Sequence, residues 1–86
     1  MFTGIIQSIA TIEDISYKSN LYKIKTNLNL DNCKKGSSIS CDGVCLTIFN
    51  IKNIKNVYTF NVNVGEETLK RSNLIFWKKN TVINIE

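Results

Sequence analysis

The sequence contains no histidine, few thiols, no long apolar run and no cluster of positive charge. Without histidine there is no Ser–His or Cys–His dyad and no His-containing zinc site. The thiols are Cys33, Cys41 and Cys45. Their spacing gives no C-x-x-C, and an odd count suits reduced thiols in a reducing compartment better than a disulfide framework. The longest apolar stretches, such as Gly4-Ile5-Ile6, break within a few residues, so no transmembrane helix fits. A secretory leader is not expected either. The first lysine is Lys18, and Thr3, Gln7 and Ser8 interrupt any apolar segment before it. These absences point to a soluble, cytoplasmic domain without a membrane partner.

What is present is the composition of a folded domain. With 86 residues, 43% of them hydrophobic and 21% charged, the chain makes one domain spanning residues 1–86. The net charge is +4, and ten lysines, twelve asparagines and thirteen isoleucines look like the codon drift of an AT-rich genome. The lysines are spread along the chain, whereas a nucleic-acid face shows a basic stripe with interleaved aromatics. A solvated surface, with no nucleic-acid partner, is the expectation.

The hydrophobic period is mostly two. Tyr22, Ile24, Thr26 and Leu28 alternate with Lys23, Lys25 and Asn27, which predicts a strand with one wet face. Residues 44–51 are apolar at both parities, which predicts a central strand. Tyr58 to Val64 again alternates cleanly. The run from Gly4 to Ile15 is rich in Ile and Thr but alternates poorly, so a bulge or bend is expected there. Ser37–Cys41 and Thr81–Ile85 complete six strands. Asp42-Gly43 is the strongest hairpin signal, and Lys34-Lys35-Gly36 and Asn53 to Asn56 read as loops. One short helix is expected over Glu66–Ser72, acidic in its first turn and basic in its last. Six short strands and one helical turn, without βαβ alternation, predict a small closed all-β barrel.

Three segments together resemble the first barrel of the riboflavin synthase family. They are Met1-Phe2-Thr3-Gly4-Ile5-Ile6, then Gly36 to Thr47 with Cys41-Asp42-Gly43-Val44-Cys45-Leu46-Thr47 at its end, then Phe60 to Leu74. They occur in order, at the family's spacing, across the whole chain. The resemblance implies a six-stranded antiparallel Greek-key barrel holding one 6,7-dimethyl-8-ribityllumazine as substrate, with riboflavin as product and no cofactor or metal. The implied ligand contacts are Gly4, Ile5, Ile6, Cys45, Leu46, Thr47, Asn63, Val64, Gly65, Glu66, Glu67 and Thr68. The implied catalytic candidates are Cys45 and Ser38, near the reacting carbon of the acceptor, and Phe2 as a cover that excludes water.

The chemistry of these positions agrees with such a ligand. A flat pteridine needs an apolar slot and a few amide-like partners for its polar edge. Main-chain groups at Gly4–Ile6 and Leu46 offer N–H and C=O, and the Thr47 and Thr68 hydroxyls are short, adaptable partners. The turn and helix start at Val64–Thr68 offer further N–H groups. Each position also has a plain structural reading. Thr47 is β-branched on a strand, Cys45 is a small apolar residue, and Glu66 and Glu67 suit a helix dipole.

The resemblance also implies two barrels in tandem, with the active site between one chain's first barrel and a neighbour's second. Ile83-Asn84-Ile85-Glu86 matches the close of the first barrel, so a single barrel without its companion is the expectation. Its partner would be a second family barrel or a copy of itself: a dimer for the isolated barrel, a trimer for the full-length family. Two other function classes stay open. One is a non-catalytic lumazine- or flavin-binding module of the antenna type. The other is an oligonucleotide-binding barrel, whose affinity would fall steeply with salt.

Overall fold

A computed structural model describes residues 8–86. The chain forms six strands: β1 (Ser8–Ser16), β2 (Leu21–Thr26), β3 (Ser38–Cys41), β4 (Val44–Ile54), β5 (Val57–Asn63) and β6 (Val82–Ile85). A helix, α1 (Glu66–Arg71), and a 3₁₀ turn (Asn73–Phe76) lie between β5 and β6. The strands close into an antiparallel barrel in the order β1-β2-β5-β4-β3-β6, so the expected Greek-key barrel is observed.

Local chemistry explains most element boundaries. The poor alternation of the first strand corresponds to a register shift against β2 between Ile12 and Asp14. An extra residue there re-aims Glu13, whose carboxylate lies 3.1 Å from the Lys23 ammonium. β2 stops at Thr26, two residues before the alternation suggests. The Thr26 hydroxyl donates to the Ile9 carbonyl at 3.0 Å and accepts the Leu28 N–H at 3.1 Å, which diverts the chain. Asp42 and Gly43 both have positive φ, 48° and 85°, as a two-residue hairpin turn demands. The segment expected to be a loop, Asn53 to Asn56, is instead a second tight hairpin. β4 continues to Ile54, and Lys55 and Asn56 take positive φ of 52° and 68°. Lys-Asn carries a weaker turn signal than Asn-Gly, which is why local reading lengthens the loop.

The barrel interior is packed with side chains. Ile12, Ile24, Ile48, Phe60, Val62 and Ile85 are fully buried within it. The crossover from β2 to β3 buries Leu30, and the segment from β5 to β6 buries Leu74 and Trp77. The registers place these two connections at opposite ends, because β2 finishes beside Tyr58 while β5 finishes beside Leu21. Trp77 packs edge-on against Tyr22 with ring centroids 5.7 Å apart. A six-stranded barrel is too narrow to hold both these side chains and a bicyclic ligand. Any ligand of that size binds on the outer wall.

Candidate functional site

The outer wall is set by period two. On β3 and β4 the register pairs Ser38 with Thr47, Ile39 with Leu46, and Ser40 with Cys45. Ile39 and Leu46 are buried, so Ser38, Ser40, Cys45 and Thr47 face outward together. β4 lies between β5 and β3, a central place as expected, yet its two faces differ: Leu46 and Ile48 point inward, while Cys45 and Thr47 are exposed. The two-residue turn makes Cys41–Val44 the closing hydrogen-bonded pair, so alternation makes Ser40–Cys45 and Ser38–Thr47 the close, non-bonded pairs. Their side chains are the nearest neighbours that the sheet allows.

Two depressions flank the start of β4. One, about 260 Å³, is lined by Ser38, Ser40, Cys45 and Glu86. The other, about 360 Å³, lies between Val44 and the helix and is lined by Val44, Glu67, Thr68, Arg71 and Ser72. Val44 and Cys45 are consecutive and so serve opposite sides of one strand. The larger cavity of about 390 Å³ near Leu30, Cys33, Ile51 and Tyr58 lies toward the other end of the barrel. It contains none of the residues that the resemblance assigns to ligand contact.

The candidates divide by position. Ser38 and Cys45 line one outer depression, Thr47 stands opposite Ser38, and Glu67 and Thr68 line the depression between Val44 and the helix. The side chains of Leu46 and Val64 are buried in the core, so only their main chains could meet a ligand. Alternation also directs the Leu46 main chain to Ile39, so it has no free N–H or C=O to offer. Asn63 is exposed, but its amide nitrogen donates to the Ser19 carbonyl at 3.0 Å and ties the end of β5 to the β1–β2 turn. Gly65 precedes the helix in extended conformation, and nothing lies within 4 Å of where its Cβ would be. Glu66 is exposed in the first helical turn, and Glu67 pairs with Arg71 at 3.1 Å on the surface. Such an exposed pair contributes under about 1 kcal/mol. Phe2, Gly4, Ile5 and Ile6 lie outside the described residues.

The thiols are chemically distinct. Cys41 is buried, and desolvation, with smaller contributions from Asp42 and Cys45, pushes its thiol up from 9.0 to about 12. It stays a neutral, inert thiol. Cys45 is exposed beside Ser40, where a reagent or ligand can reach it. Among the described residues no group of three or more His, Cys, Asp or Glu side chains gathers as for a metal ion. The wall thus offers hydroxyls, one accessible thiol and one carboxylate, which suits a neutral polar heterocycle.

Local reading missed Ser40, Glu86 and Asp42. Glu86 reaches the wall only because β6 lies beside β3, a pairing with no short-range signal. In the sequence Asp42 signals only a turn. Its carboxylate also accepts the Asn84 N–H at 2.8 Å and the Trp77 indole N–H at 2.9 Å, which binds the hairpin to β6.

Known proteins resemble this chain over its length. The family model described as "Lumazine binding domain" matches residues 3–86. The riboflavin synthase of Photobacterium phosphoreum is 34% identical over 89 residues, covering 100% of this chain and 39% of that protein. That of Saccharomyces cerevisiae is 34% identical over 95 residues, with 100% and 38% covered. That of Bacillus subtilis is 35% identical over 88 residues, with 100% and 39% covered. The chain therefore spans less than half the length of these curated relatives. With a six-stranded barrel and a family match from residue 3 to residue 86, this chain belongs to the lumazine-binding domain family.

Proposed function

We propose that this barrel supplies one lumazine-binding half-site for riboflavin synthesis in the cytoplasm. In that reaction one molecule of 6,7-dimethyl-8-ribityllumazine transfers a four-carbon unit to a second. One becomes riboflavin and the other 5-amino-6-(ribitylamino)uracil. The observation that carries the reading is the outward cluster of Ser38, Ser40, Cys45 and Thr47 on a barrel of this family.

The chemistry asks little of the protein in catalytic groups, which fits a chain without histidine. The C7-methyl of lumazine is acidic and becomes the carbanion equivalent of the donor. A nucleophile adds at C7 of the acceptor, and Ser38 and Cys45 are the polar groups of the wall suited to assist it. The larger contribution is orientation of two reactants face to face, which can supply about 7–11 kcal/mol of a barrier. One barrel presents one reactant, so turnover requires a second barrel of the family or a copy of this chain. A two-fold dimer is the simplest arrangement that brings two identical walls together.

The test is fluorescence titration of the chain with 6,7-dimethyl-8-ribityllumazine and with riboflavin, read beside its native mass. Saturable binding supports the half-site, and riboflavin formation by the dimer is then assayed directly. A folded chain that binds neither molecule refutes the assignment. The salt response distinguishes an oligonucleotide barrel, whose affinity would collapse between low and moderate salt.

A further inference from the structure

Glu86 is placed on the candidate wall by the pairing of β3 with the end of β6. The Ser40 N–H donates to the Glu86 carbonyl at 3.3 Å, and the Glu86 N–H donates to the Ser40 carbonyl at 3.0 Å. The two residues are therefore directly opposite partners. Ser40 is equally opposite Cys45 on its other side. Directly opposite residues share a face, and the buried neighbours Ile39, Cys41 and Ile85 fix that face as the outer one. Cys45, Ser40 and Glu86 thus form one row across three strands. At an inter-strand spacing of about 4.8 Å, the row spans roughly 10 Å. Its three members, with Ser38, line the same cavity. Glu86 is half-buried there, and among the described residues it forms no salt bridge.

An ionised carboxylate only accepts hydrogen bonds, so an occupant of this end of the cavity must bring donors. Ring and substituent therefore sort along the row, with the flat ring toward Cys45 and the donor-rich part toward Glu86. In 6,7-dimethyl-8-ribityllumazine the polyol chain leaves N8, the atom next to C7. A ring that sets C7 beside Cys45 directs its five-carbon chain along the row.

We propose that Glu86, with Ser40, holds the ribityl hydroxyls of the bound lumazine and so determines selectivity for polyol-bearing ligands. This role rests on the half-site reading and adds a substrate-contacting residue to it.

The experiment compares two ligands, 6,7-dimethyl-8-ribityllumazine and 6,7,8-trimethyllumazine, which lacks the polyol. Both are titrated by fluorescence into the wild-type chain and into Glu86→Gln. The variant should bind the ribityl compound at least about tenfold more weakly, as for loss of a charged acceptor, and bind the trimethyl compound unchanged. Equal weakening of both ligands, or no weakening of either, overturns the proposal while leaving the half-site intact. Failure of the wild-type chain to bind either ligand overturns the half-site, and the role of Glu86 with it. Should Glu86→Gln not fold, the carboxyl ¹³C resonance of Glu86 in the wild-type chain serves instead. It should move with the ribityl compound and stay still with the trimethyl compound, and any other pattern refutes the contact.

Discussion

The indole N–H of Trp77 donates to Oδ2 of Asp42 at 2.9 Å, tying the segment after the helix to the β3–β4 turn. The other carboxylate oxygen accepts the Asn84 N–H at 2.8 Å, and the Asp42 N–H donates to the Asn84 carbonyl at 2.8 Å. One turn residue thus joins the hairpin, β6 and the packed indole. It holds β3 beside β6 at the point where Ser40 and Glu86 meet.

Asp42→Ala removes both acceptors, leaves a buried indole N–H unpaired and places alanine at a φ of 48°. The expected loss is about 2–3 kcal/mol. Asp42→Asn keeps the favourable turn conformation and one acceptor, so about 1 kcal/mol is expected. Urea denaturation followed by Trp77 fluorescence measures both. An alanine variant as stable as wild type would show that the clip contributes nothing.

The second hairpin is a site for stabilisation. Lys55 and Asn56 hold φ values of 52° and 68°, which cost a lysine more than an asparagine or glycine. The Asn53 carboxamide accepts the Asn56 N–H at 3.0 Å and is untouched by either change. Lys55→Asn with Asn56→Gly should add about 1 kcal/mol and raise Tm by about 4–8 °C. Thermal denaturation tests it, and an unchanged or lower Tm would contradict the turn assignment.

These two turns show what a local reading can and cannot reach. Asp42-Gly43 declares its hairpin because both residues suit positive φ, whereas Lys55-Asn56 adopts the same geometry without the signature. The bulge near Ile12 was legible because broken alternation is a local property. The early end of β2 was not, because it depends on a Thr26 hydroxyl finding the Ile9 carbonyl across the sheet. For the site, motif resemblance brought out Ser38, Cys45 and Thr47, which the register places on one face. It also gathered Leu46 and Val64, whose side chains the same period sends inward. Glu86 was invisible because Ser40 and its partner are distant in sequence, and only barrel closure joins them.

Alkaline pH should destabilise the fold. Burial raises Cys41 from 9.0 to about 12, and the folded state therefore holds a proton that the unfolded chain releases first. A raised folded value gives stability that is complete below pH 9 and lost as pH rises toward 12. A shift of this size corresponds to about 4 kcal/mol across the window. Tyr58, raised mainly by its hydrogen bond to Asp31, and Tyr22, raised by burial, act in the same direction. Denaturation midpoints between pH 8 and pH 12 should fall steeply in wild type. In Cys41→Ala the slope should be shallower by about one proton, while the tyrosine contribution persists. Identical slopes in both proteins would remove Cys41 as the source.

Thiol accessibility tests the site without any assay of turnover. Cys45 is exposed on the outer wall, Cys33 is half-buried beside the far cavity, and Cys41 is enclosed. Thiolate formation and access together govern alkylation, so iodoacetamide should modify Cys45 first, Cys33 more slowly, and Cys41 only in denaturant. Peptide mass spectrometry resolves the three sites. A lumazine seated against Cys45 excludes the reagent there and leaves the opposite end of the barrel unaffected. Saturating 6,7-dimethyl-8-ribityllumazine should therefore slow modification of Cys45 alone. Protection of Cys33 instead would move the ligand to the cavity beside Tyr58, and equal protection of both would indicate general stiffening of the barrel rather than contact. Because the two thiols report from opposite ends of one molecule, Cys33 serves as the internal reference for Cys45.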